Sequence, residues 1–447
     1  MEQGISIWQA DTPAHGHPEL AERIRCDAAV IGGGLAGILT AKLLSREGAD
    51  CVVLERDGVG CGETGRTTAK ITAQHELIYQ RITKDRGADM ARLYAAAQTE
   101  AIGAYARFIS TLDTDCGFTW CPAYLYTVGD DRRLKAEWKA AAGAGLSMAL
   151  TTRTELPLPV TSALRLDGQA RFRPLEFLRQ AARGLTIYEH SPVRDIRYRD
   201  GETVLVTPRG AVTARTVVFA CHYPIVNVPG WYFLRQHQER SYVLALENVP
   251  AMEGMYLGID ERGLSFRPEG KYLLLGGGGH RTGEDSGRPY EILLSRAKAM
   301  WPECRAAERW SAQDCMSVDG VPFIGRYARS RPEWYVATGF GKWGMTNSMV
   351  SARLITDLIC GRESPYTQLF DPARSLTHAS AALANEAGHA AKGLTKGLLK
   401  GRRCAHMGCH LEWNAAEGTW DCPCHGSRYT ADGILLENPA TEDLHIE

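Results

Sequence analysis

The first part of the chain switches between short apolar runs and helical periodicity. The run Cys26–Ile31 is largely apolar and is followed by glycines. Residues Leu35–Leu44 have Leu, Ile and Ala at helical spacing, and residues 49–54 form a second apolar run, which Glu55 follows. Short apolar runs bounded by glycine predict buried strands, and a period of 3.6 residues predicts a helix. The pattern therefore predicts a βαβ unit.

Later segments show both periodicities. Amphipathic spacing predicts a helix over Ala88–Phe108, and a Pro174 start with Gly184 after the end predicts another over Leu175–Arg183. Alternation around Asp200-Gly201 predicts a hairpin over Val193–Val212. Further predicted elements are strands within Ser241–Ile259, Lys271–Leu275 and Trp334–Gly339, a loop at Gly276–Gly279 and a helix over Asn347–Ile359.

The order of these elements, βαβ first, then helices and strands, then a strand and helix again, predicts two interleaved domains. The segment Ala379–Arg403 is rich in Ala, Gly, Lys and Leu and has no Phe, Trp or Tyr. This composition predicts a linker or a marginal basic helix.

Composition narrows the class of protein. With 447 residues, of which 44% are hydrophobic and 23% charged, the chain is too long for one simple core and too apolar to be mostly disordered or fibrous. Its 51 basic and 52 acidic residues give a net charge of -1, which provides no overall attraction to nucleic acid or an anionic membrane. The N-terminus lacks the features of a secretory signal, and no run of about 18 apolar residues occurs, so we expect a cytoplasmic protein without a transmembrane segment.

A dinucleotide-binding turn follows the first predicted strand. Gly32, Gly34 and Gly37 form GxGxxG between a strand and a helix, and Glu55 stands 18 residues past Gly37 at the end of the second strand. The glycines permit the tight turn, the approach of a pyrophosphate and close packing of helix against strand. The Glu55 carboxylate can accept hydrogen bonds from ribose hydroxyls. The motif alone does not decide whether the nucleotide is FAD or NAD. Its position near the N-terminus of a chain that has no second GxGxxG unit favours one tightly held FAD.

Over residues 20–370 the chain resembles the flavin-dependent family of D-amino acid oxidase, glycine oxidase and related amine oxidoreductases. Besides GxGxxG, the resemblance rests on Thr64–Lys70, Val217–Ala220, and Asp319–Gly325 followed by Ala337-Thr338-Gly339. It implies a Rossmann-like α/β FAD-binding fold with an interleaved α+β substrate domain. The further FAD contacts that it implies are Thr68, Val193, Ala220, Gly339 and Gly341.

Cysteine and histidine crowd together near the C-terminus. Cys404 and His406 form CxH, and after 15 residues Cys422 and His425 form CxxH, while Cys409 and Cys424 are left over. Two loops that each supply one Cys and one His match the ligand set of a Rieske [2Fe–2S] centre. A Cys2His2 set also suits tetrahedral zinc, and a chance cluster is a third reading.

The segment closely resembles the Rieske [2Fe–2S] family. By that resemblance the ligands are Cys404, His406, Cys422 and His425, and a Cys409–Cys424 disulfide ties the loops. The resemblance also places the hydroxyls of Ser427 and Tyr429 on cluster or thiolate sulfur, which predicts a raised reduction potential. The expected domains are thus an oxidoreductase domain over 20–370, a linker over 371–403 and a small all-β Rieske module over 404–447.

This module is expected to be truncated. Only 33 residues separate Phe370 from Cys404, and Ala379–Arg403 does not have a strand pattern. The strands that normally precede the first ligand loop therefore have no place in the sequence.

The two predicted cofactors differ in how they carry electrons. Flavin takes two electrons as a hydride from a C–H beside nitrogen, whereas a [2Fe–2S] centre takes one at a time. The pairing predicts an amine or amino-acid dehydrogenase that passes electrons singly to an external acceptor. The alternatives are an electron relay or redox sensor without its own small substrate, and an oxygen-using oxidase with a vestigial Rieske segment.

Catalytic residues are less clear from sequence, because flavin amine oxidation needs mainly a positioned, neutral amine. Lys70, His75 and Asp314 are candidates to face the flavin ring, although each also fits an ordinary structural role. Cys315 or His75 is a candidate for a covalent flavin link. Candidate ligands for a substrate carboxylate, equally readable as surface residues, are Arg235, Tyr242, Arg267 and Tyr272.

Overall fold

The computed structural model describes residues 4–11, 16–284, 287–399 and 401–444. Its helices are α1 (Ile7–Asp11), α2 (Leu35–Arg46), α3 (Ile78–Arg86), α4 (Ala88–Ile109), α5 (Arg132–Gly143), α6 (Pro174–Ala182), α7 (Pro289–Met300), α8 (Gly344–Ile359), α9 (Thr367–Phe370) and α10 (Ser380–Leu399). Of the helices in these ranges, none combines the length and the apolar character that crossing a membrane requires.

The first sheet is built on a parallel core in which the predicted βαβ unit is central. It has the order β16-β17-β10-β1-β2-β7, and a hairpin, β8 with β9, is attached to β10. The strands are β1 (Arg23–Ile31), β2 (Cys51–Leu54), β7 (Thr186–Tyr188), β8 (Asp195–Arg199), β9 (Glu202–Val206), β10 (Ala211–Phe219), β16 (Phe323–Ala328) and β17 (Arg331–Thr338). Val30 of β1 pairs with Val218 and Val53 on its two sides, and all three side chains are buried, because helices cover a parallel sheet on its faces.

The second sheet is mixed and holds most of the middle of the chain. Its order is β15-β11-β14-β13-β12-β4-β6-β3, and β5 pairs with β6. The strands are β3 (Lys70–Ile71), β4 (Thr119–Thr127), β5 (Ala149–Thr151), β6 (Ser162–Arg171), β11 (Gln236–Glu247), β12 (Met255–Gly258), β13 (Ser265–Glu269), β14 (Tyr272–Arg281) and β15 (Arg305–Ser317). Elements of the two sheets alternate along the sequence, which is the expected interleaving.

The predicted loop at Gly276–Gly279 is wrong. All four residues lie within β14, where Gly276 and Gly277 pair with β11 and Gly278 and Gly279 fall in a register shift beside Tyr242. A Cβ on Gly277 would stand 3.0 Å from Leu293 and 3.1 Å from Leu264, so the strand runs close to its neighbours without side chains. Glycine in a strand can mark a close approach of this kind, and the pairing partner is too distant in sequence to be inferred locally.

The C-terminal module, residues 404–444, contains a small antiparallel sheet. Its order is β18-β19-β20-β21, with strands β18 (Glu412–Asn414), β19 (Thr419–Asp421), β20 (Arg428–Tyr429) and β21 (Leu435–Glu437). The expected shortness of this sheet is thus observed within the described residues.

Helix α10 supports the module in place of further strands. A Cβ on Gly393 would stand 2.3 Å from Cys424 Sγ, and one on Gly397 would stand 2.3 Å from the carbonyl oxygen of Gly408. The segment that composition left as a linker or a marginal helix is therefore a helix, and glycine lets it approach the cysteine loops closely. Its Glu386 binds Arg281, which donates to the carbonyl oxygens of Pro423 and Cys424.

A buried ion network also joins the C-terminal module to the rest of the chain. Arg428 is fully buried and contacts Asp421 at 3.1 Å and Glu437 at 2.7 Å. Glu437 in turn binds Arg66 at 2.7 Å, and Glu417 lies 3.5 Å from the buried Arg240 of β11. Because removing one member would leave others charged and unpaired in the interior, the network fixes the two parts together.

Candidate functional site

A cavity of about 1540 Å³ opens among the first sheet, the second sheet and the C-terminal module. Its wall includes Gly32 and Gly34 of the first turn, and Leu35 and Ala36 at the N-terminus of α2. The carboxyl ends of the parallel strands meet here, where open α/β sheets bind their ligands. The cavity is therefore the candidate functional site.

The glycines of the first turn have the geometry that a nucleotide requires. Gly32 has φ of 111°, and a Cβ there would stand 2.5 Å from the carbonyl oxygen of Ala220. A Cβ on Gly37 would stand 1.9 Å from the carbonyl oxygen of Gly32, so this glycine serves helix–strand packing and not the cavity wall. The turn leaves the N-terminus of α2 open towards the cavity, a position that suits a pyrophosphate.

Glu55 ends β2 beside this turn. Its carboxylate accepts the backbone N–H of Gly33 at 2.6 Å and that of Asp57 at 2.9 Å, and the residue lines the cavity. These bonds hold the carboxylate next to the glycine turn, which is where a ribose hydroxyl would meet it. The donor set and the open turn fit FAD.

The other expected FAD contacts also line the cavity: Thr68, Val193, Ala220, Gly339 and Gly341. Gly339 and Gly341 have positive φ of 70° and 58°, and the N–H of Gly341 donates to the carbonyl oxygen of Cys315. Cys315 lines the cavity, and burial raises the pKa of its thiol to about 12. A covalent flavin link through Cys315 or His75 stays a prediction.

Lys70 lies in the cavity wall with its amine buried. Its Nζ donates to the carbonyl oxygen of Tyr256 at 2.9 Å and contacts the hydroxyl of Ser265. Burial lowers the pKa of Lys70 to about 7. The amine can therefore exchange a proton near neutral pH.

His75 lines the cavity but both ring nitrogens are engaged. Nε2 donates to the carbonyl oxygen of Thr72 at 2.7 Å, Nδ1 accepts from the hydroxyl of Tyr94 at 2.6 Å, and the ring stacks on Trp343. Burial lowers the pKa of His75 to about 3, so the ring is neutral. These contacts favour a structural role that positions the cavity wall.

Asp314 belongs to β15 and lines the cavity. It pairs in register with Glu239 of β11, and Lys342 binds Glu239 at 3.1 Å. Burial raises the pKa of Asp314 to about 7, although the neighbouring Lys342 opposes the rise. This carboxyl group can also gain or lose a proton near neutrality.

Of the residues expected to bind a substrate carboxylate, Tyr242 lies in the cavity wall. Arg235 instead donates to the carbonyl oxygens of Pro372 and Gly230, and Arg267 is fully buried against Glu269 and the carbonyl oxygen of Phe172. Tyr272 lies in a separate small pocket beside Lys271. The expectation is thus wrong for these three residues, because internal partners or position keep them from the cavity.

In the C-terminal module, His406 and His425 lie together. Their ring centroids are 5.0 Å apart, and the Nδ1 atom of each is buried without a hydrogen-bond partner. Burial lowers the pKa of His406 to about 4 and that of His425 to about 3, so both rings are neutral, as metal ligands must be. Two orphaned, neutral imidazole nitrogens fit a metal centre.

The cysteine sulfurs of the module also lie close to one another. The Sγ atoms of Cys409, Cys422 and Cys424 lie within 4.8 Å of one another, and hydrogen bonding to Cys422 raises the pKa of Cys404. Cys409 and Cys424 are free thiols in the structure. Their closeness brings the predicted disulfide within reach, and that pairing stays a prediction.

The Tyr429 hydroxyl, one of the two expected to contact sulfur, lies against a cysteine sulfur, and the contact of the Ser427 hydroxyl stays a prediction. The Tyr429 hydroxyl lies 3.4 Å from Cys404 Sγ and accepts the N–H of Ala405. Ser427 Oγ accepts the N–H of Ala440 at 3.0 Å. Tyr429 is therefore placed to stabilise a negatively charged cluster.

The cluster loops contact the wall of the cavity. Gln238 Nε2 donates to the carbonyl oxygens of His425 and Asn438, at 2.8 and 3.0 Å, and Gln238 Oε1 lies 2.9 Å from Nε2 of His222. His222 and Asn438 line the cavity. On the other side, Nε2 of His406 lies 2.8 Å from Oδ1 of Asn227.

Comparison with known proteins agrees with this arrangement. A family model described as FAD dependent oxidoreductase matches residues 27–358, and one described as Rieske [2Fe-2S] domain matches residues 398–446. The chain belongs to the FAD dependent oxidoreductase family. As a member of this family with a Rieske domain, it is an oxidoreductase that binds FAD and a [2Fe–2S] cluster.

Relatives share one or both parts. A Bacillus subtilis protein named Rieske 2Fe-2S iron-sulfur protein YhfW is 34% identical, over 98% of this chain and 96% of its own length. Gamma-glutamylputrescine oxidoreductase of Escherichia coli is 24% identical, over 80% of this chain and 88% of its own. The structure of glycine oxidase from Geobacillus kaustophilus superposes with a TM-score of 0.66 at 19% identity, covering 78% of this chain and 99% of that one, which shows the shared fold.

Sequence reasoning missed several cavity residues of this oxidoreductase. Thr64, whose hydroxyl accepts the N–H of Leu35 at 3.0 Å, and Arg66 lie in the Thr64–Lys70 motif but carried no assigned role. The places of Lys342 and Glu437 in the cavity wall were not predicted, because no local sequence pattern indicates them. Glu437 could only be found from the fold, since it reaches the cavity from the C-terminal module.

Proposed function

We propose that this oxidoreductase is an amine or amino-acid dehydrogenase that passes electrons, one at a time, through its Rieske cluster to an external acceptor. The observation that carries the proposal is the shared wall: residues of the C-terminal module line the same cavity as the glycine turn and Glu55. Electron transfer between the two cofactors would then cross a contact of a few residues within one chain.

FAD supplies a two-electron acceptor for the C–H beside the substrate nitrogen, and the cluster supplies a one-electron outlet. The protein's own part is to bind the amine in its neutral form and to remove its extra proton. Asp314 and Lys70 are the groups that we assign to this proton, since burial brings the pKa of each to about 7. His75 orients the wall through Thr72 and Tyr94.

The integration of the module speaks against a vestigial cluster segment. The buried Arg428 and Glu417 and the partly buried Glu437 belong to an ion network that spans both parts, and Gln238 binds a cluster loop directly. Loss of the module would leave charged groups of the oxidoreductase domain unpaired. A relay without a small substrate is the second candidate, but a cavity of about 1540 Å³ with proton-exchanging groups favours a substrate.

The test is an anaerobic titration of the iron-replete holoprotein with a panel of amines and amino acids, followed by admission of air. We expect bleaching of the flavin absorbance, then reduction of the cluster seen by EPR, and slow peroxide formation in air. Bleaching with rapid peroxide formation would indicate an oxidase. If no compound bleached the flavin, the result would favour an electron relay without a small substrate of its own.

A further inference from the structure

One segment of the C-terminal module forms part of the cavity wall. Residues 435–441, here called the closing segment, contribute to the wall as follows: Leu435, Glu437, Asn438, Ala440 and Thr441. The segment includes β21 and follows the strand that carries Tyr429. It therefore belongs to the cluster-binding fold while facing the nucleotide cavity.

Asn438 fixes the closing segment to the end of β10. Its Nδ2 donates to the carbonyl oxygens of Cys221 and Tyr223, at 2.7 and 2.6 Å. Cys221 lines the cavity directly after Ala220, whose carbonyl oxygen abuts Gly32. The amide group thus anchors the segment beside the glycine turn.

Two arginines fix the segment on the other side. Arg56, next to Glu55, donates to the carbonyl oxygen of Leu436 at 2.5 Å. Arg66 binds Glu437 at 2.7 Å. Since both arginines line the cavity, the segment is held against the same elements that present Glu55 and the motif after it.

We propose that the closing segment is a binding element for FAD, so that the cofactor is enclosed between the oxidoreductase domain and the C-terminal module. The inference rests on the FAD site of the proposed function. It adds that residues of the Rieske fold contribute to this site. FAD release would then require the segment to move, which its anchors oppose. The prediction is tight FAD binding that depends on residues more than 370 positions beyond the glycine turn.

The experiment uses the full-length holoprotein and measures the FAD dissociation constant by equilibrium dialysis with flavin absorbance, together with iron content. Asn438→Ala removes the anchor, and Thr441→Trp places bulk in the cavity wall without removing that anchor. Ile434→Ala is the matched control, because Ile434 is 57% exposed and adjoins the closing segment. We expect a dissociation constant raised about ten-fold or more in both test variants and unchanged in the control, with iron retained.

FAD affinities within two-fold of the parent protein in both folded test variants would overturn the proposal. If Asn438→Ala also loses iron, its fold has suffered and Thr441→Trp decides alone. The proposed dehydrogenase fails differently: the parent protein would then hold FAD tightly yet show no bleaching with any amine. The two failures are therefore distinguishable.

Discussion

Gln238 Nε2 lies 2.8 Å from the backbone carbonyl oxygen of His425, so a strand of the second sheet contacts the loop of a cluster histidine. The same side chain is 1% exposed, and its Oε1 accepts from Gln313 Nε2 at 2.9 Å. Gln313 also donates to the carbonyl oxygen of Gly426. The cluster loop is thus held by amides that come from outside its own module.

Replacing Gln238 by Leu should weaken this contact. The carbonyl oxygens of His425, which is buried, and Asn438, which is partly buried, would lose a donor, and an unsatisfied buried group costs about 1–3 kcal/mol. We expect a lower free energy of unfolding and slower transfer of electrons from flavin to cluster in stopped-flow experiments. Gln169→Leu is the control, since Gln169 is also buried but binds Ala73; it should cost stability without slowing the transfer.

Substituting Gly393 or Gly397 by Ala should disturb the cluster loops from the helix side. The added Cβ would meet Cys424 Sγ and the Gly408 carbonyl oxygen, each at 2.3 Å. We expect reduced iron per chain and a weakened EPR signal. Gly388→Ala on the same helix has nothing within 4 Å of the added Cβ and should be neutral or stabilise by about 0.5–1 kcal/mol. Full cluster occupancy in both test variants would contradict the proposed support by α10.

Metal content tests the ligand assignment. The holoprotein should contain about two irons and two acid-labile sulfides per chain, and Cys422→Ser or His425→Ala should abolish both while FAD absorbance remains. Cys360→Ser, at an exposed thiol, is the control. One zinc per chain in the parent protein, without iron, would refute the Rieske centre.

The pH dependence of flavin reduction should report on Asp314. If its carboxylate accepts the substrate proton, the rate rises with pH as the group ionises, around its pKa of about 7. Asp314→Asn should lower the rate and remove this rise. Glu308→Gln on the same strand, at a position outside the cavity wall, should keep the profile. If the inflection persists in Asp314→Asn and disappears in Lys70→Met, Lys70 is the acceptor instead.

The parts of the site that sequence predicts are those determined locally. Gly32, Gly34 and Glu55 follow from one βαβ unit, whose strands and helix need only their own periodicity. The spacing of Cys404, His406, Cys422 and His425 likewise identifies two loops that the structure brings together.

The parts that sequence does not predict depend on distant pairing. Gly276–Gly279 lies in a strand because β11 pairs with it, and Arg267 is lost to substrate because Glu269 and Phe172 already bind it. Residue type alone cannot show which partner a buried arginine finds. The same holds for Glu437, whose place beside Arg66 depends on docking of the whole module.

The buried position of Arg428 has a consequence for anyone who would engineer this chain. Its guanidinium lies between Asp421 and Glu437 of the same module, and Glu437 also binds Arg66 of the oxidoreductase domain. Cutting the gene before residue 404 would leave charged groups of both fragments without their ion-pair partners. The C-terminal module therefore cannot simply be moved into another protein. A chimera with a different electron carrier would need new partners for the charged groups on both sides of this contact.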